Sequence, residues 1–120
     1  MNPSSIQGQL KQKLAAVNNQ VNTEIFGRGL RSQKVYIMEN LVFIIANNQR
    51  VPALATLDKR GLPTREIDMV LIDSYKDRLR ELVQEKLGLT VLSVLKDYDP
   101  KNEISGNILI LAEAICSEEN

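Results

Sequence analysis

Apolar residues fall into two long stretches of helical spacing and four shorter runs of strand-like composition. In the first stretch Ile6, Leu10, Leu14, Val17, Val21 and Ile25 recur at spacings of four, four, three, four and four. That rhythm places all six on one stripe of a helix. Ser4 or Ser5 stands where a hydroxyl accepts an orphan N–H of the first turn. Gly27 and Gly29 follow the last apolar position, where a left-handed cap ends a helix. Gln9, Lys11, Gln12, Asn18 and Asn22 lie off the stripe and are expected to face water. The second stretch, Met69, Ile72, Tyr75, Leu79, Leu82, Val83 and Leu87, keeps helical spacing with Thr64 at its N-cap position and Gly88 at its end.

Between the helices, runs 34–38 and 41–46 are rich in Val, Ile, Tyr and Phe and are separated only by Glu39-Asn40. This reads as a hairpin, with a loop longer than two residues because Glu is not favoured in the tightest turns. Segment 51–63 predicts at most a helical turn over 53–57 and a loop marked by Gly61 and Pro63. Run 91–98 predicts a third strand, 99–102 a turn, and 104–112 a fourth strand in which Gly106 signals a bulge or a late start. The predicted order is α-β-β-α-β-β. The fold class is therefore α+β, with two long helices and a four-stranded, mainly antiparallel sheet. One domain is expected over residues 1–120, with its core over 5–112 and a frayed tail. A crossover from the second strand through the second helix to the third would make that pair parallel.

Runs 41–46 and 108–112 are apolar at every position, so both of their faces call for burial. Two helices on one face leave the other in water unless the first helix crosses to it or a second copy covers it. A homodimer is expected, through Val42, Ile44, Ile108 and Ile110 or through their neighbours Leu41, Phe43, Leu109 and Leu111.

Composition narrows the function more than it names it. The 120 residues, 13.5 kDa, carry 15 Lys+Arg against 15 Asp+Glu, so no global field favours nucleic acid or anionic lipid. There is no His and a single Cys, Cys116, which removes the commonest general base, the favoured nitrogen ligand for zinc and any intrachain disulfide. Asp68, Asp73, Asp77, Glu81 and Glu85 alternate with Lys and Arg along the second helix, as on a solvated face. The Asp97-to-Glu103 stretch lacks the glycine and fifth-position oxygen of an EF-hand loop and reads as a turn. No enzyme, metal or cofactor is expected. The longest apolar run, 41–46, is far short of the ~20 residues of a membrane helix, so no direct membrane insertion is expected. With no apolar signal core at the N-terminus, the expected location is cytoplasmic.

The 27–34 stretch offers three cations, Arg28, Arg31 and Lys34, beside Gly27 and Gly29 with no acid among them. Backbone N–H groups and Arg at such a loop suit a small anion, although glycines that merely cap and turn the chain explain the same residues. The run Ile25-Phe26-Gly27-Arg28-Gly29, then Val35-Tyr36-Ile37 and an apolar strand, resembles the opening of the MpsC-like domains. The later order, a long helix closing at Leu87-Gly88, a strand at 91–95, a turn with Asp97 and Asp99 and a final apolar strand, extends the resemblance over about 7–111. The resemblance implies a non-catalytic accessory or interaction module, peripheral to the membrane through a partner. That partner would be a membrane transport subunit of an ion-translocating or inorganic-carbon uptake system. The alternative is a small-anion or metabolite sensor using the 27–34 loop.

Overall fold

The computed structural model describes residues 5–115; Ser4, Cys116 and the tail 117–120 lie outside the described residues. The elements are α1 (Ile6–Phe26), β1 (Ser32–Met38), β2 (Leu41–Asn47), α2 (Pro52–Lys59), α3 (Arg65–Leu87), β3 (Val91–Asp99) and β4 (Ile104–Leu111). The class is the expected α+β, with a short third helix. Ser5 caps α1 by accepting the Gly8 N–H at 3.0 Å. Gly27 and Gly88 end α1 and α3 in the left-handed region, as the apolar spacing and the glycines together required.

Two local expectations change. Segment 51–63 holds a full helix, α2, because Pro52 at its first turn supplies a preset φ and loses no needed donor. Thr64 does sit at the N-cap of α3, but its side chain makes no capping bond. Its hydroxyl donates to Asp58 Oδ1 at 2.8 Å and accepts from Arg50 at 3.0 Å. The β1–β2 loop is tighter than expected: Met38 pairs directly with Leu41, and Glu39 takes a φ of 56°. The cost of that conformation is offset by a clamp on the turn. Asn40 receives the Leu111 N–H on its carbonyl, and its side chain donates to the Leu111 carbonyl.

The sheet runs β1-β2-β4-β3 with every pair antiparallel. Strands β2 and β3 are therefore not a parallel pair; β4 lies between them. Gly106 is regularly paired with Ile45 and Asp97, and the one register irregularity falls in β3 between Val91 and Ser93. The bulge is on the strand opposite the glycine that suggested it.

Register sorts the sheet into two faces. On one, Val42, Ile44, Leu109, Leu111, Val91 and Val94 are buried together with Leu14, Val17 and Val21 of α1 and Tyr75, Leu79, Leu82 and Val83 of α3. Both long helices thus cover the same face, and α1 does not cross to the other. On the open face four cross-strand rows can be read: Met38–Leu41–Ile110–Ser93, Tyr36–Phe43–Ile108–Leu95, Lys34–Ile45–Gly106–Asp97 and Ser32–Asn47–Ile104–Asp99. The expected interface sets mixed these faces. Val42, Ile44, Leu109 and Leu111 lie under the helices of their own chain and cannot meet a partner, whereas Leu41, Phe43, Ile108 and Ile110 share the open face. Strand alternation says as much once the pairing is known: Val42 opposes Leu109, and Phe43 opposes Ile108.

The helix stripes are also narrower than their spacing implies. Ile6 and Met69 are 73% and 55% exposed; Ile6 is the first residue of α1, and Met69, in the first turns of α3, borders an open cleft rather than packed side chains. Conversely Asn18 and Asn22, expected in water, are completely buried.

Candidate functional site

The polar interior begins with those two asparagines. Tyr75, buried on α3, donates its hydroxyl to Asn18 Oδ1 and accepts from Asn107 Nδ2 of β4 at 3.0 Å. Asn18 donates to Gln33 Oε1 of β1 at 3.0 Å, and Gln33 donates to the Ala15 carbonyl at 2.8 Å. Asn22 donates to the Asn18 carbonyl at 2.8 Å and accepts from Asn48 Nδ2 at 3.1 Å. The Asn48 carbonyl accepts from the Tyr98 hydroxyl at 2.8 Å. One connected thread therefore ties α1, α3 and three of the four strands. Burial pushes the Tyr75 phenol well above its ordinary pKa, so it stays a donor at any physiological pH.

At one end of this thread lies Arg50, in the link between β2 and α2 and almost wholly buried. Its Nε donates to Asp58 Oδ2 at 2.9 Å, one terminal nitrogen to Asp68 Oδ1 at 2.6 Å, and the other to the Thr64 hydroxyl at 3.0 Å. Its backbone N–H donates to Glu103 Oε2 at 2.6 Å. The Tyr98 ring lies 5.9 Å from the guanidinium carbon. Burial opposes the charge, but the bonds from Asp68 and Asp58 outweigh it and raise the pKa. The Asp58 carboxyl is held below its usual range by Arg50 and then by Thr64. Burial pushes the Tyr98 phenol up to about 12, with Arg50 acting the other way. The planar five-donor fork of Arg matches this set of acceptors, which a Lys would not satisfy. The cluster joins the β2–α2 link, α2, the start of α3 and the β3–β4 turn.

Next to it is a second cation with no such company. Lys96 of β3 points to the helix-covered side, as Val94 two residues earlier does. Its Nζ is buried without a hydrogen-bond partner, and so is Oδ1 of Asn107, its neighbour across the strand. The ammonium lies 4.1 Å from the centre of the Tyr75 ring and 5.9 Å from that of Phe26. Ring faces attract a cation, yet burial lowers the Lys96 pKa from 10.5 to about 8. Lys96, Tyr98, Asp68 and Ile72 also wall an open cleft of about 600 Å³ between α3 and β3, whose rim carries both signs of charge, Arg65 and Lys76 against Asp73 and Asp97. The arrangement can hold or lose one proton near pH 8 at a fixed, dehydrated position.

The sequence-predicted loop is built differently from an anion cradle. Gly29 sits against Asn19, where an added Cβ would come 2.8 Å from Oδ1. That same oxygen accepts the Leu30 N–H at 2.8 Å. The Gly27 N–H goes to the Thr23 carbonyl and the Arg31 N–H to the Asn47 carbonyl. Arg28 turns back to the Arg50 carbonyl at 3.5 Å. Arg31 is exposed, while Lys34 lies on the open face of the sheet beside Ile45. The β3–β4 turn is closed by Asp99, which accepts from the N–H groups of Lys101 and Asn102 and from the Asn102 side chain. Its carboxyl is lowered by those bonds. Among the described residues no group of His, Cys, Asp and Glu could hold a metal ion, and no helix is long and apolar enough to cross a membrane.

Sequence reasoning passed over Arg50 because its partners are 8 and 18 residues away, with no spacing that marks them. Lys96 did leave a signal, since it shares the alternation of Val94 and Tyr98 along β3, on the side the helices cover.

An α+β domain with two helices on one face of an antiparallel sheet, a sealed polar interior and an uncovered apolar face describes a class rather than an activity. The family is more definite. Residues 6–113 match the model described as Na+-translocating membrane potential-generating system (MpsC), and the chain belongs to that family. No curated protein and no solved structure matches the chain significantly.

Proposed function

We propose that the chain is a non-catalytic accessory module of a Na+-translocating, membrane-potential-generating system, peripheral to the membrane and held there by a transport subunit. The observation that carries this reading is the family match, which extends over residues 6–113. The interior chemistry is compatible with it. Arg50 and its acids bind one another, and the buried amides bind Tyr75, so most of the polar investment holds the fold together.

The experiment is removal of the gene from its source with the Na+-dependent membrane potential read by a voltage-sensitive dye. The potential should fall and return when the chain is supplied again, and a tagged copy should co-purify from membranes with a transport subunit in fixed stoichiometry. An unchanged potential, or full activity restored by a trace of the chain as by a turning-over enzyme, would overturn the proposal. The sensor alternative rests on the side chains of Arg28, Arg31 and Lys34, since the N–H groups of Gly27, Leu30 and Arg31 already have acceptors. Calorimetry against bicarbonate, phosphate and nucleotides tests it, with Arg28→Ala as the control that should abolish any heat.

A further inference from the structure

The open face of the sheet has the makings of a contact with one particular partner. Tyr36, Met38, Ile45, Leu95 and Ile104 are each about half exposed, and they are contiguous with Leu41, Phe43, Ile108 and Ile110 through the strand pairing. Contiguous apolar surface of this extent marks an interaction site on a soluble domain. Four strands at ~4.8 Å spacing and seven residues at ~3.3 Å give a footprint of roughly 450 Å² in projection. Side-chain relief brings that toward the ~800 Å² per partner of an ordinary specific interface.

The charges on this face say what covers it. Lys34 on edge strand β1 and Asp97 on edge strand β3 occupy the two ends of one cross-strand row, with Ile45 and Gly106 between them. We infer that the face is covered by a second copy of this chain, stacked sheet on sheet about a two-fold axis parallel to the strands. That rotation exchanges the β1 and β3 edges while keeping each row at its own height. Lys34 of each copy then meets Asp97 of the other, at both rims of the contact.

The same operation brings Ile45 over Gly106. Around Gly106 the face has a shallow depression of about 420 Å³ walled by Phe43, Ile45, Leu95 and Ile108, left because the row has no side chain at that position. One knob and one hole per copy match under the two-fold. In the next row Tyr36 meets Leu95 and Phe43 meets Ile108, apolar against apolar. A two-fold perpendicular to the strands does worse everywhere. Centred on this row it sets Lys34 on Lys34 and Asp97 on Asp97; displaced to the gap between this row and the next, it presses Lys34 onto Tyr36 and Asp97 onto Leu95. Like charges or unpaired charges at an interface weaken it. Aligned stacking of two sheets at about −30° is also a common packing of antiparallel sheets.

Charge reversal tests the geometry, because both residues are exposed on strands at the sheet edges and the one bond Asp97 accepts is local, from the N–H of the adjacent Tyr98. The wild-type chain should sediment at twice 13.5 kDa at micromolar concentration. Lys34→Asp alone, or Asp97→Lys alone, should weaken the dimer about tenfold or more, with circular dichroism and melting of the monomer unchanged. The double variant should return to near wild-type affinity. Ile45→Asp, in the middle of the face, should give a folded monomer. The inference is overturned by a wild-type monomer at hundreds of micromolar, which would leave the face to another protein or to lipid. It is equally overturned by a dimer indifferent to the single reversals, or by a double variant no better than the singles.

Discussion

Arg50 and Lys96 are two cations withdrawn from water within the same end of the molecule, and they are treated in opposite ways. Arg50 has two carboxylates, a hydroxyl and a ring. Lys96 has two ring faces and no hydrogen-bond acceptor. A buried charge that is fully bonded holds its surroundings together, whereas one that is not bonded is a standing cost to folding. The contrast separates a group kept for architecture from a group that architecture alone does not explain.

The largest effect expected is from Arg50→Met, which strands Asp58 and Asp68 beside an apolar chain and should destabilise by about 3 kcal/mol in urea unfolding. A loss under ~1 kcal/mol would mean that solvent already shares the cluster. Lys96→Met should act with the opposite sign and stabilise by about 2 kcal/mol at pH 7, since it removes a charge whose burial is uncompensated. Destabilisation there would show that the aromatic contacts outweigh the desolvation. Tyr75→Phe sets the scale for a neutral group in the same interior. It leaves Asn18 Oδ1 and Asn107 Nδ2 short of a partner and should cost about 1–3 kcal/mol.

The pH dependence sharpens the comparison further. The folded Lys96 titrates near 8 and the unfolded one near 10.5, so between those values the unfolded chain binds more protons. Stability should therefore rise with pH in that window, by about 1–2 kcal/mol from pH 8 to 10, and stay at its lower level below pH 8. In Lys96→Met the rise should vanish, while in Thr64→Val it should persist. That last variant, the mildest, removes one hydroxyl from the Arg50 cluster and should cost about 1 kcal/mol.

Much of the frame was legible in the chain. The α1 and α3 spacings, Gly27 and Gly88 as ends, and the four apolar runs depend on local periodicity, and local periodicity is written in sequence order. What escaped depends on pairing. The insertion of β4 between β2 and β3 decided which apolar residues share a face, so Val42 and Ile108 were grouped although register puts them on opposite sides. Asn18 and Asn22 were assigned to water because an amide looks polar until a buried Tyr and a distant Asn appear beside it. α2 was underestimated because eight residues with a single buried leucine, Leu54, present hardly any stripe to read. Of the 27–34 stretch the glycines were legible as caps, whereas nothing local shows that Asn19 closes over Gly29.

The Tyr75 hydroxyl has a consequence for how the chain reaches this state. It joins residues 57 positions back and 32 positions ahead in one buried bond pair, and the strand it bonds, β4, is synthesised after the other three strands of the sheet. Until β4 arrives between β2 and β3, the sheet has a gap at its centre and the helices have only part of a floor. Contacts of such long range slow folding, because chain closure precedes the energetic return. A ribosome-bound chain truncated before β4 should accordingly carry helix but no cooperative unfolding transition, with commitment to the native topology arriving in a single late step.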